Sequence, residues 1–259
     1  MRIGYLMNIY PVTSATFIRR EIAAHEAAGT QIMRYAIRRW DEALIDVRDR
    51  EEQERTQYLL SGRSAALIGR FFPELMWNPA GMWRAIKAWA HLLSNARGGF
   101  VQHCAYFLEA ISLKQAMARD GIDHLHAHWS TNTAAVALMA HKLGGPGFSF
   151  TAHGPDEFID WGPASLKFKV SQARFVAAIS QYCLTQLALA AGTGHWDRLM
   201  ILRCGVDLVE FLVSVSPFDA DDPFVCVVRL CPQKAKSFLV EATADVEQSH
   251  PVVKVELIG

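Results

Sequence analysis

Residues 2–37, RIGYLMNIYPVTSATFIRREIAAHEAAGTQIMRYAI, decide the fold. Arg2 to Met7 reads as a first strand, and Asn8 to Thr13, with Pro11, as a loop. Ser14 carries a hydroxyl suited to capping a helix that runs from about Thr16 to Ala28 and stops at Gly29. Gln31 to Ile37 is a second strand. Strand, loop, helix and strand in this order open a parallel, doubly wound α/β sheet.

The same alternation continues outward. Asp41 to Thr56 is dense in charge and reads as a solvated helix or loop. Residues 64–97 mix Trp77, Trp83 and Trp89 with Arg70, Arg84 and Lys87. This stretch reads first as an amphipathic helical pair packed on the sheet. The sharper alternative is a peripheral membrane contact, because Trp and basic side chains favour the interface. Val101 to Arg119 is a helix ending near Gly121, Ile122 to His126 a third strand, and Thr131 to Lys142 an alanine-rich helix. Phe148 to Thr151, Phe175 to Ile179 and Leu199 to Leu202 are further strands, with Ser180 as a helix cap.

Residues 1–206 therefore form an expected first domain and 207–223 a linker with Pro217, Pro223 and three nearby aspartates. In 224–259, Phe224 to Val228, Ser237 to Gln248 and Val252 to Ile258 read as strand, helix and strand of a second, incomplete domain. The last strand runs into Gly259, so the sequence is expected to stop inside that domain, where a ligand site past a strand end would begin.

Composition narrows the class. Of 259 residues, 51% are hydrophobic and 20% charged, which suits a globular core. Lys plus Arg and Asp plus Glu each number 26, so the chain exerts no net electrostatic pull on nucleic acid, and none is expected as a partner. The apolar start is too short for a signal peptide, and no run of about 18 apolar residues marks a spanning helix. Cys104, Cys183, Cys204, Cys226 and Cys231 are scattered, with no Cys-x-x-Cys pair. Reduced thiols and a cytoplasmic location are expected, with association to the inner face of the plasma membrane through 64–97.

Four stretches carry chemistry. His124, His126 and His128 alternate, so they share one face of a strand. His126 and His128, with His153, would give three metal ligands, but lining of a cleft is the preferred reading, with no metal. Thr151-Ala152-His153-Gly154-Pro155-Asp156 places an imidazole and a glycine at a strand exit. There Asp156 either faces a ligand or caps the next turn. Gly205, in Cys204-Gly205-Val206-Asp207, suits a tight strand exit or an ordinary turn. Arg229 and Lys234 stand between the first strand and helix of the second unit, where two cations and a helix N-terminus suit a diphosphate.

In order, these segments resemble a known family. Tyr10-Pro11-Val12-Thr13-Ser14-Ala15-Thr16-Phe17-Ile18 with Glu21-Ile22 is similar to the opening of bacterial exopolysaccharide and colanic-acid-type glycosyltransferases. His126-Ala127-His128-Trp129, the His153 segment, Cys204-Gly205-Val206-Asp207 and Val227 to Ala235 follow in that family's order. The chain thus resembles glycosyltransferase family 4, retaining enzymes of the GT-B fold. The resemblance implies two Rossmann-like domains facing across a cleft, with the acceptor on the first and a nucleotide-diphosphate sugar on the second. It implies His153 as the catalytic cleft histidine beside the donor sugar, and Arg229 with Lys234 as the diphosphate-binding pair, with no cofactor. Ser14, Thr16, His128, Gly154, Asp156 and Gly205 fall on the cleft or acceptor side.

The sequence departs from the family at Ala15, where Glu is common, and at Ala235, where Gly is common. The family's Glu-(seven residues)-Glu signature would lie beyond Gly259. The expected function is transfer of a sugar from a nucleotide-diphosphate donor to a lipid-linked or saccharide acceptor in polysaccharide synthesis, absent or weak in this 259-residue form. The alternatives are a non-catalytic acceptor- or partner-binding module and, lower, a metal hydrolase using His126, His128 and His153.

Overall fold

The computed structural model describes residues 1–60, 64–95, 98–159, 163–206, 208, 223–228, 231, 234–249 and 253–258. The chain divides into two compact units, Met1–Asp207 and Leu208–Gly259.

The first unit is built on seven parallel strands: β1 (Arg2–Ile9), β2 (Gln31–Arg38), β3 (Thr56–Tyr58), β4 (His124–His128), β5 (Gly147–Ala152), β6 (Val176–Ala178) and β7 (Leu199–Ile201). Their order is β3-β2-β1-β4-β5-β6-β7. The order reverses between β1 and β4, where the register pairs Tyr5 with His126 and Leu6 with Ala127. Helices α1 (Thr16–Ala27), α2 (Val47–Arg55), α3 (Ser64–Trp77), α4 (Pro79–Asn95), α5 (Phe100–Asp120), α6 (Asn132–Lys142), α7 (Asp156–Ile159), α8 (Pro163–Gln172) and α9 (Gln181–Ala191) connect them.

Alternation along each strand sorts side chains to two faces. Leu6, Tyr35, Ile37, Leu125, Ala127, Phe148 and Phe150 join the large core that includes α4, α5 and α6. Tyr5, Met7, Ile32 and Ala36 join a smaller core with Ile18 and Ile22 of α1. Gly4 lets the larger core close, because a Cβ there would lie 3.0 Å from the Tyr35 ring and 3.2 Å from Leu125.

Two local expectations are corrected. Ser14 does not cap α1. The N-cap is Ala15, which makes no side-chain capping bond, and Ser14 sits exposed in a 3-10 turn over Thr13–Ala15. Nor is the charged stretch after Asp41 simply solvated. It supplies α2 and β3, and Asp49 and Glu52 are buried. Glu52 accepts from Tyr10 at 2.7 Å and pairs with buried Arg34 at 2.9 Å. Arg34 also pairs with Glu26 of α1, and Arg19 of α1 with Asp49 at 2.5 Å. A buried charge persists only where partners replace its water, and here α1, α2 and β2 supply them.

The second unit is described as β8 (Phe224–Val227), α10 (Lys236–Glu247) and β9 (Val255–Ile258), with β8 and β9 parallel. Phe224, Val227 and Phe238 are exposed, since one strand–helix–strand unit has too little surface to cover its own faces.

Glu109 of α5 is 3% exposed, and its Oε2 lacks a hydrogen-bond partner. Burial raises its carboxyl to about 7, against the opposing pull of Arg38. The folded state therefore holds this proton more tightly than the unfolded chain. Stability falls as pH rises from the ordinary Glu value near 4.3 through about 7. Glu109→Gln is expected to unfold about 1–3 kcal/mol later than wild type above pH 7 and to match it near pH 4. Urea midpoints at the two pH values check this.

Candidate functional site at the strand exits

Parallel strands all leave the sheet at one edge, and ligands of such folds bind there, where the strand order reverses. In the first unit that place is the edge of β1 and β4. Asn132, the first residue of α6, donates to Asn8 of β1 at 2.8 Å and ties the two exits together. An open hollow of about 610 Å³ lined by Arg2, Glu26, Gln31 and Asp120 lies instead by the amino ends of β1 and β2.

Because Leu125 and Ala127 face the large core, His124, His126 and His128 face the opposite side, as expected from their alternation. Ser149 and Thr151 of β5 share that side, since Phe148 and Phe150 do not. A ladder results. Ser149 Oγ bonds His124 Nε2 at 2.7 Å and His126 Nδ1 at 2.8 Å, and Thr151 Oγ1 bonds His126 Nε2 at 2.9 Å. Beyond it, His128 Nδ1 meets His153 Nε2 at 3.0 Å. Tyr5 packs beside His126 and His128, with ring centroids 5.4 and 5.2 Å away.

Burial keeps these rings neutral. It lowers His126 to about 3, aided by the neighbouring His124 and His153, and lowers His153 to about 4. His128 is driven well down by burial and by the adjacent imidazoles. His153 alone of these three is half-buried and flanked by Phe17 at 4.9 Å and Trp129 at 5.1 Å between ring centroids. A neutral imidazole between two aromatic rings is equipped to exchange hydrogen bonds with a polar ligand without presenting a charge.

The loops holding His153 are fixed by a carboxylate. Glu157 of α7 accepts from the backbone N–H groups of Ser130, His153 and Gly154. Lys169 of α8, 0% exposed, donates to the carbonyls of Ser130 at 2.8 Å and Thr131 at 3.0 Å. Burial pushes the Glu157 carboxyl up and the Lys169 ammonium down to about 7. Between these ties Trp129 adopts φ +75, a left-handed conformation costly for a bulky residue. Such an outlier persists only where its surroundings hold it.

The structure brings together His128, His153 and Gly154 of the expected site. His128 is 0% exposed and touches His153 from the interior side. Thr16 is half-buried at the start of α1, one residue before Phe17. Ser14, Asp156 and Gly205 are exposed. The β5 exit is capped by Glu157 rather than Asp156. Lys234 is exposed in the second unit, just ahead of α10, and Ala235 takes φ +47, where the family's glycine would be unstrained. Arg229 lies outside the described residues. Glu157, Lys169 and Phe17 escaped sequence reading as site residues. A carboxylate four residues past the exit histidine is a signal for Glu157, but only burial separates it from a solvated helix residue.

No protein-family model matches the sequence, and no curated protein matches it. Solved structures do. HepE of Anabaena, solved with UDP and glucose, superposes with a TM-score of 0.61 at 14% identity, over 99% of this chain and 60% of HepE. Sucrose-phosphate synthase of Thermosynechococcus elongatus gives 0.58 at 14% identity, over 100% of this chain and 70% of the synthase. UDP-GlcNAc 2-epimerase of Methanocaldococcus jannaschii gives 0.53 at 11% identity, over 99% and 65%. The chain thus spans 60% of the length of HepE. The α/β fold is of the GT-B-like kind that these proteins share.

Two outcomes are expected of the site. Unfolded histidines protonate near 6.5, whereas the folded His126 and His153 resist until about 3 and 4. Their contribution to stability is therefore intact above about pH 6.5 and lost as pH falls below it, which urea melts near pH 7.5 and pH 5 detect. Glu157→Ala leaves three amides without their acceptor. It is expected to cost about 3 kcal/mol and to speed hydrogen exchange at His153 and Gly154.

Proposed function

We propose that this chain serves sugar transfer of the glycosyltransferase family 4 type, with transfer itself absent or weak in the 259-residue form. The donor is a nucleotide-diphosphate sugar, the acceptor is a lipid-linked saccharide of polysaccharide synthesis, and the anomeric configuration is retained. The observation that carries the reading is the neutral His153 imidazole, set between Phe17 and Trp129 at the edge where the strand order reverses. There it exchanges hydrogen bonds with hydroxyls of the donor sugar. His128 orients it from behind. Arg229 and Lys234 neutralise the diphosphate and stabilise it as a leaving group, a task that needs no resident metal. Ser14, Thr16 and Asp156, exposed or half-buried, remain for the acceptor. The GT-B-like fold supports the same reading.

The acceptor's lipid gives a role to one surface. Phe72, Met76, Trp77 and Trp83 are exposed on α3 and α4, with Trp77 at 86%. Lys87 lies over the Trp83 ring at 5.0 Å, and Arg84 is exposed beside it. Among the described residues no helix is long and apolar enough to cross a membrane. Aromatic and basic side chains together suit shallow contact with an anionic leaflet on the cytoplasmic side.

Titration calorimetry with a panel of UDP- and GDP-sugars tests the donor. Saturable binding is expected, weakened by about 10-fold or more in Arg229→Ala and in Lys234→Ala, the scale of a lost charge-assisted bond. Where transfer by the chain is measurable, His153→Ala is expected to lower it by about 100-fold. Failure of every donor to bind would leave an acceptor- or partner-binding module and sink the transferase reading. An inverted product anomer would sink the retaining mechanism. Trp77→Ser with Trp83→Ser is expected to reduce sedimentation with anionic vesicles several-fold; unchanged sedimentation removes the membrane contact.

A further inference from the structure

His128 poses an unsolved hydrogen-bonding problem. It is 0% exposed, its Nδ1 meets His153, and its Nε2 is buried with no partner. Whichever nitrogen carries the proton, one polar atom is left bare, and a buried polar atom without a partner is destabilising. Interiors avoid such atoms, so each one calls for an explanation.

The surroundings supply one. Glu21 of α1 reaches toward the same place, its Oε1 accepting from Tyr5 at 2.7 Å. One donor atom each from Glu21, His126 and His128 lies within 4.8 Å of the other two. We propose that Glu21, His126 and His128 form a binding site for a divalent transition metal, zinc being the best fit. Two imidazoles and one carboxylate, with a further position open, is a recurrent zinc donor set. The rings are held unprotonated by burial, the form that ligates. Glu21, only half-buried, gives the ion its way in.

Binding has local consequences. Donors around one zinc at about 2.0–2.1 Å lie within 4.8 Å of one another, the range these three atoms already share. His126 has hydroxyls on both nitrogens, so one of Ser149 and Thr151 yields its place to the metal. With Nε2 on the metal, His128 carries its proton on Nδ1 and donates it to His153 Nε2, fixing the tautomer of that ring. The metal stands behind His153 and positions it. This inference does not rest on the sugar-transfer reading, and the set differs from the one read from sequence: Glu21 takes the place of His153.

The test uses the purified 259-residue chain, stripped with a chelator and titrated with Zn²⁺ by calorimetry and with Co²⁺ by absorption. One ion per chain is expected, with the visible bands of low-coordinate Co²⁺ and no thiolate charge-transfer band. Glu21→Gln and His128→Gln are each expected to weaken Zn²⁺ by at least about 100-fold, the upper end of what losing even an outer partner costs. The exposed His91→Ala control leaves affinity unchanged. Circular dichroism in chelator shows that the variants fold. Should a variant not fold, the wild-type Co²⁺ spectrum decides alone. No binding, a thiolate band, affinity indifferent to Glu21→Gln, or affinity lost in His91→Ala each overturns the proposal.

Discussion

Three backbone N–H groups from two different loops converge on one buried carboxylate, Glu157, and the geometry of the strand-exit edge depends on that convergence. Loops at the end of a parallel sheet have no ladder to pair with, so their amides need another acceptor. Glu157 supplies it for the exits of both β4 and β5. Lys169 answers from the other side by donating to the carbonyls of Ser130 and Thr131. Donors and acceptors of one turn are thus held from two helices. A positive φ at Trp129 persists there, and its ring is presented to His153.

Behind that edge lies a consequence of strand alternation. Leu125 and Ala127 on β4, and Phe148 and Phe150 on β5, send apolar side chains to one core. The same alternation turns three imidazoles and two hydroxyls to the other face. Buried polar groups are tolerated when they satisfy one another. His124, Ser149, His126 and Thr151 do so in a ladder. His128 does so by half, with one nitrogen on His153 and one bare. The half-satisfied member is the one that touches the exposed end of the cluster, so structural and functional demands meet at one ring.

A second polar system holds the opposite side of the sheet's reversal. Arg34 on β2 is buried between Glu26 of α1 and Glu52 of α2, and Glu52 also receives the Tyr10 hydroxyl. These ties fix α1 against the sheet. Since α1 carries Phe17 and Glu21, the same network positions the aromatic wall of His153 and the carboxylate beside His126. A charge-rich segment that reads as solvent-facing in sequence serves here as an internal clamp.

Local pattern was enough for the sheet. Apolar runs of strand length, helices between them and glycines at their ends foretold β1, β2 and β4 to β9 within a few residues, because those signals act over short distances. The three-residue β3 was too short to be seen, directly after the charged helix α2. The shared face of His124, His126 and His128 followed from a period of two, and the place of His153 at a strand exit from its neighbours in the chain. Folding alone decided the rest. Ser14 lost its capping role, His128 was sealed from solvent, and Glu157, Lys169, Asp49 and Glu52 became interior groups. Burial of a charged side chain is set by what distant segments bring to it, and a sequence window holds no record of that environment.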